Sequence, residues 1–219
     1  PFGSTGGYGN NYNGILEIRL SVPNLTSGDF SSSYANMLEH IDWIGPHSIT
    51  NSTNLFAYSQ MYKLSNFDMY GITDATNMFY SCINLIEIPN LDTSNVLQMD
   101  NMFKSCGGLE RVPIFNCSSV TTLYRMFHAC SSLREVELNN TNSCTSFRET
   151  FTSCSVLRKV RGITTTNSTS CQNMFQNCYE LWSLPSLDLS NCTTTSSMFQ
   201  NTKFLTKNLS IRNTGNVTN

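Results

Sequence analysis

Residues 77–106 read NMFYSCINLIEIPNLDTSNVLQMDNMFKSC, and within them the pattern Met-Phe-x-x-Cys-x-x-Leu starts twice, at Met78 and at Met102. The interval of 24 persists along the chain. Phenylalanine recurs at Phe56, Phe79, Phe103, Phe127, Phe151, Phe175 and Phe199, one step of 23 residues and then five of 24. With Phe as position 0, position +3 carries Cys82, Cys106, Cys130, Cys154 and Cys178, with Ser59 and Thr202 in the outermost copies. Position +6 carries Leu85, Leu109, Leu133, Leu157, Leu181 and Leu205, and position +9 carries Ile88, Val112, Val136, Val160 and Leu184. A unit this short cannot bury its own apolar side, so the copies must cover one another. The pattern predicts an α/β repeat solenoid of about seven rungs, with equivalent residues in columns about 4.8 Å apart.

Inside one copy, positions +6 to +12, as in LIEIPNL and LWSLPSL, read as the main strand, bounded by turn residues. The Asn-Met-Phe-x-x-Cys stretch has apolar residues three apart and predicts a short helix or 3-10 turn. Val96 and Val120, followed by Met99 and Leu123, suggest a second, shorter extended piece. Upstream, Leu38, Ile41, Ile44 and Ile49 continue the spacing as a degenerate first rung, and Gly14 to Val22 alternates like an edge strand that caps the stack. The expected organisation is a flexible Gly-rich linker over 1–13, a cap with the degenerate rung over 14–50, and the solenoid over 51–219 with its last copy incomplete. The opening at Pro1 reads as a processed product or a piece of something longer, and IRNTGNVTN as either a polar cap or an interrupted array. Asn139 stands where an apolar strand residue belongs, with Leu138 as its inward substitute, and Ser168, Thr195 and Asn208 fall in mostly apolar columns.

Composition bounds the function. Charged residues make up 13% of the 219, and the net charge is −2. Such a surface has no basic field for a phosphate backbone, so nucleic acid is not an expected partner. No apolar run approaches the roughly 20 residues of a membrane-spanning helix, and insertion into a bilayer is not expected.

The stretch from Asn77 to Cys106 closely resembles the Met-Phe subtype of BspA-like leucine-rich repeat surface proteins, whose repeats occur in mycoplasmas, lactobacilli and other bacteria, with relatives in phage tail and fibre proteins. The resemblance runs from about Leu38 to Ile211. It implies recognition at a cell or virion surface without catalysis, in an extracellular setting, and carries no binding residues with it.

Residue chemistry gives the candidates. Nine cysteines invite a metal or disulfide reading, but a column of one thiol per rung cannot converge on a zinc ion. The rung spacing of about 4.8 Å also exceeds the Cβ separation of a relaxed disulfide. Buried, reduced thiols in a shared core with the Phe column are expected, and any bridge would join Cys171 to Cys144 or Cys192. Position +8 carries Glu87, Arg111, Glu135, Lys159, Ser183 and Lys207, an alternation that predicts a ladder of ion pairs between rungs. Around it, Arg134, Arg158, Lys159, Arg161 and Trp182 are the candidate ligand-binding residues, a Trp among cations being suited to a sugar ring or an acidic partner. The column Tyr80, Lys104, His128, Thr152, Gln176 and Gln200 reads as a varied, solvent-facing edge. His40, His47 and His128 are too far apart in repeat coordinates to share a metal, and no nucleophile, carboxylate pair or phosphate loop appears, so neither catalytic residues nor a cofactor are expected. Eight Asn-x-Ser/Thr sequons, at Asn24, Asn51, Asn116, Asn139, Asn167, Asn191, Asn208 and Asn216, matter only in a glycosylating host. The first functional expectation is a non-catalytic recognition module, an adhesin or receptor-binding domain for a host surface glycan or protein. The second is a structural virion part, such as a tail-fibre or decoration domain joined to other virion or surface proteins.

Overall fold

The computed structural model describes residues 9–12, 15–20, 39–43, 46–205 and 210–212. Successive copies of the repeat lie on one another in parallel. The rings of Phe56, Phe79, Phe103, Phe127, Phe151, Phe175 and Phe199 form one continuous column with centroids 5.1 to 5.7 Å apart, and from Phe79 onward neighbouring planes are within 9° of parallel. Those separations are the offset-stacked range for aromatic pairs. The +3 cysteines and +6 leucines are fully buried beside the rings, apart from a slight exposure of Leu205. The core is therefore one cluster running through all copies.

The Met-Phe segment is not a helix. No α-helix occurs among the described residues, and a 3-10 turn at Thr141–Ser143 is the longest helical piece. The apolar spacing of three comes instead from consecutive tight turns. Positions −2 and +2 adopt a left-handed backbone in all seven copies, for example Asn77 (φ 55) and Ser81 (φ 58) around Phe79. A helix cannot run through those residues. Within the turn the N–H groups alternate in direction: Met78, Tyr80 and Cys82 donate three residues back in their own copy, while Asn77, Phe79 and Ser81 donate to Asp100, Met102 and Lys104 of the next. Positions −2, 0 and +2 thus build a ladder between copies while −1, +1 and +3 fold each copy back on itself. Asn tolerates the left-handed region best among residues with a side chain, which accounts for Asn54, Asn77, Asn101 and Asn173 at −2.

The extended positions are also shorter than the spacing suggests. A four-stranded sheet opens the fold: β1 (Gly9–Tyr12), β2 (Ile15–Leu20), β3 (His40–Trp43) and β4 (Lys63–Ser65), in that order, with β1 antiparallel to β2 and the rest parallel. Two corrections follow. Gly9 to Tyr12 belongs to a strand rather than a linker, and it takes the edge assigned to the Gly14–Val22 segment, so β2 lies inside the sheet. The degenerate first copy is present at Ile41, which faces Leu64 across β3 and β4 and is fully buried, as is Ile49. Leu38, Ile44, the rest of the linker, Lys207, Asn208 and the residues after Arg212 lie outside the described residues.

Further along, β5 (Phe115–Asn116), β6 (Glu135–Asn139) and β7 (Lys159–Arg161) form a parallel trio, and β8 (Leu187–Asp188) pairs with β9 (Ile211–Arg212). Position +10 decides where the strand runs through. Pro89, Pro113 and Pro185 stand there in three copies and supply no N–H to a ladder. Glu137 and Arg161 stand there in the copies that hold β6 and β7, and these residues are partners in register. The second extended piece is a line of single parallel bridges, Thr122 to Ser146, Ser146 to Ser170 and Ser170 to Thr194. Leu138 fills the inward place beside Asn139, fully buried and in register with Phe115. Ser168 is buried too, its hydroxyl 3.2 Å from the Ser170 carbonyl.

Candidate functional site

All nine cysteines are free and buried. Each +3 thiol donates to the carbonyl of the phenylalanine in the preceding copy: Cys82 to Phe56, Cys106 to Phe79, Cys130 to Phe103, Cys154 to Phe127 and Cys178 to Phe151, at 2.9 to 3.0 Å. The thiol column is thus a hydrogen-bond rail between copies. Ser59 and Thr202 retain a hydroxyl at the same position, Ser59 against Cys82 at 3.4 Å and Thr202 onto Phe199 at 2.7 Å. Burial pushes the Cys117, Cys144 and Cys178 thiols up to about 12. Cys171 Sγ lies 3.5 Å from the Ser168 hydroxyl and Cys192 Sγ donates to the Thr194 carbonyl at 3.5 Å, and the neighbouring Cys171 brings the Cys192 thiol below its ordinary value. No group of three or more His, Cys, Asp or Glu side chains suited to a metal ion occurs among the described residues.

The strand-face candidates come together. Arg158 donates its backbone N–H to Arg134 at 2.8 Å, and Trp182 to Arg158 at 3.1 Å, so Arg134, Arg158 and Trp182 lie side by side on successive copies. Trp182 is 49% exposed. The +8 charges do not pair with one another as expected. Glu135 is in register with Lys159, yet its carboxylate meets Arg161 at 3.3 Å, and Arg161 also reaches Glu137 at 3.8 Å. Arg158 pairs with Glu180 at 2.8 Å. Arg134 has no carboxylate at ion-pair distance among the described residues. Pairs this exposed each contribute about 0.2 to 1 kcal/mol, enough to order side chains but not to carry the fold.

A second constellation escaped the sequence reading. On the turn edge, the −2 asparagines give way to Arg125 and Glu149, left-handed at φ 54 and 56, each costing roughly 1 kcal/mol against Asn or Gly. The side chains compensate. Glu149, only 8% exposed, accepts from Arg125 Nε at 2.7 Å and meets Arg148 Nε at 3.3 Å. Burial alone would raise its carboxyl, but the Arg125 bond and the charges of Arg125, Arg148 and His128 hold it below the usual carboxylate range. Both guanidinium groups lie over the Tyr124 ring, at 4.8 and 5.6 Å. His128 Nδ1 is buried with no hydrogen-bond partner, 3.7 Å from Glu149. Burial depresses His128; Glu149 opposes this, while Arg125 and Lys104 add to it. The available signal was the break in the Asn column by two opposite charges one copy apart.

The sequence matches the family described as "Mycoplasma protein of unknown function, DUF285" over residues 49–164 and 169–219. The chain belongs to this family. Membership in DUF285 agrees with the BspA-like resemblance carried by residues 77–106. Among solved structures, this DUF285 chain is similar to a leucine-rich cell surface protein from Faecalibacterium prausnitzii A2-165, with 13% identity, a TM-score of 0.37 and coverage of 84% of this chain and 55% of that one. The DUF285 chain therefore spans about half the length of that protein. Comparison with curated proteins gives no match. No helix among the described residues is long and apolar enough to cross a membrane.

Proposed function

We propose that this DUF285 chain is a non-catalytic recognition module displayed outside the cell, a right-handed leucine-rich solenoid of about seven rungs whose strand face contacts a surface glycan or protein of a host. The observation that carries the reading is the exposed Trp182 beside Arg158 and Arg134 on hydrogen-bonded neighbouring copies. An exposed indole with Arg158 on the adjoining copy and Arg134 one copy further offers a stacking surface and donors along one face. The interior supports a binding role over catalysis, because Phe, Met, Leu and Cys columns fill it. Solenoids suit binding since exposed positions vary without disturbing the core. The test is attachment of the labelled chain to host cells and a glycan array. Trp182→Ala and Arg134→Ala should each reduce attachment with melting unchanged, and undiminished attachment of the double variant would remove this face from the proposal.

A further inference from the structure

The turn edge holds a charge arrangement that the fold does not require. At position −2 the repeat is served by Asn in four copies, yet here it carries Arg125 and Glu149 in left-handed backbone. Glu149 holds Arg125 and Arg148 through their Nε atoms, at 2.7 and 3.3 Å. Their terminal amino groups have no protein acceptor among the described residues, and both planes rest on Tyr124. A buried carboxylate that fixes two guanidinium groups from behind leaves their outer edges preset for a planar or tetrahedral oxyanion. His128 adds a buried, unpartnered ring nitrogen at the same place. One copy earlier, Lys104 Nζ stands 5.2 Å over the Tyr80 ring, and Tyr80 meets the exposed Tyr58 at 5.2 Å. Three cations, Lys104, Arg125 and Arg148, stand on this edge with Glu149 and the half-buried Asp100, and Asp74 lies close enough to Asp100 to act on its carboxyl.

We propose that this edge is a binding site for an acidic glycan, with a sulfate or carboxylate group on the outer edges of Arg125 and Arg148 and a sugar ring on Tyr80. The site extends recognition to a second face and does not depend on Trp182. Calorimetric titration of the full chain tests it with heparin hexasaccharide, 3′-sialyllactose, lactose and inorganic sulfate. Saturable binding of an acidic sugar is expected, with none to lactose, and weaker binding as salt rises from about 50 to 200 mM. Binding of the heparin fragment alone assigns sulfate as the group read, and equal binding of sialyllactose assigns carboxylate. The decisive variant is Arg125→Asn with Arg148→Gln and Glu149→Asn. Each new residue already occupies the equivalent slot at Asn101, Gln172 or Asn173, so the fold is kept. Affinity should fall about tenfold or more, and the exposed single variant Arg148→Gln should fall in the same direction. Trp182→Ala should bind as the parent does. Inorganic sulfate binding as tightly as either sugar, no saturable binding of either sugar, or unchanged affinity in the triple variant would overturn the proposal.

Discussion

Replacing Phe127 by alanine tests whether the copies act as one column. Its ring is fully buried, 5.6 Å from Phe103 and 5.7 Å from Phe151, with Phe115 at 6.1 Å. The flanking rings cannot close the gap, because Phe127 N–H is tied to Thr150 and Phe103 N–H to Met126, both at 2.9 Å. A cavity that stays open costs about 3 to 5 kcal/mol. Phe199 is half-buried and has one ring neighbour, Phe175 at 5.7 Å, so its truncation should cost about 1 to 2 kcal/mol. Equilibrium urea unfolding followed by circular dichroism measures both. With a slope of about 2 kcal/mol per molar, the midpoint should move by roughly 2 M for F127A and by about 0.5 to 1 M for F199A. Losses equal to within about 0.5 kcal/mol would refute the column, since a central ring must then count no more than a terminal one.

Three further outcomes are expected. Gly162→Ala should lose about 2 to 4 kcal/mol, because its backbone is left-handed at φ +75 and the new Cβ would collide with the Leu138 carbonyl oxygen; unchanged melting would contradict that geometry. In the native protein an aromatic disulfide reagent should titrate almost no thiol, with all nine reacting after guanidinium unfolding without reductant. A final count of seven would reveal a disulfide. Because His128 is depressed below 6.5 when folded, the unfolded chain takes up the proton first, so stability should fall as pH drops below about 6.5. His128→Gln should flatten that part of the stability curve, and an identical curve would exclude the residue as its source.

The period, the Phe and Cys columns and the inward role of Leu138 were all legible, because each is a repeated demand for burial that no single substitution hides. The helix was misread at Asn77 to Cys82 for a physical reason: alternating turns give the same three-residue apolar spacing, and only the left-handed Asn77 and Ser81 distinguish them. Strand length depended on one residue per copy, Pro89 against Glu137, whose effect on the ladder is visible once copies are aligned by what they donate. Arg125 and Glu149 were missed since neither belongs to the buried columns, and their pairing runs between copies rather than along the sequence. The ion pairs of the strand face follow side-chain reach rather than column order: Arg161 meets its register partner Glu137 but comes closer to Glu135, two residues off register.

The turn ladder also makes the molecule easy to lengthen and hard to shift. Phe103 N–H to Met126, Phe127 N–H to Thr150 and Phe151 N–H to Met174 are one bond written three times. A duplication of one whole unit in the coding sequence would reproduce every such bond, whereas one residue inserted within the Met-Phe turn would set donors opposite donors. The single shorter step, from Phe56 to Phe79, keeps its bond to Met78 by placing the missing residue in the loop between them. Lineages carrying such a chain can therefore change how far it reaches by whole-unit gain or loss, while the spacing inside the Met-Phe turn stays fixed.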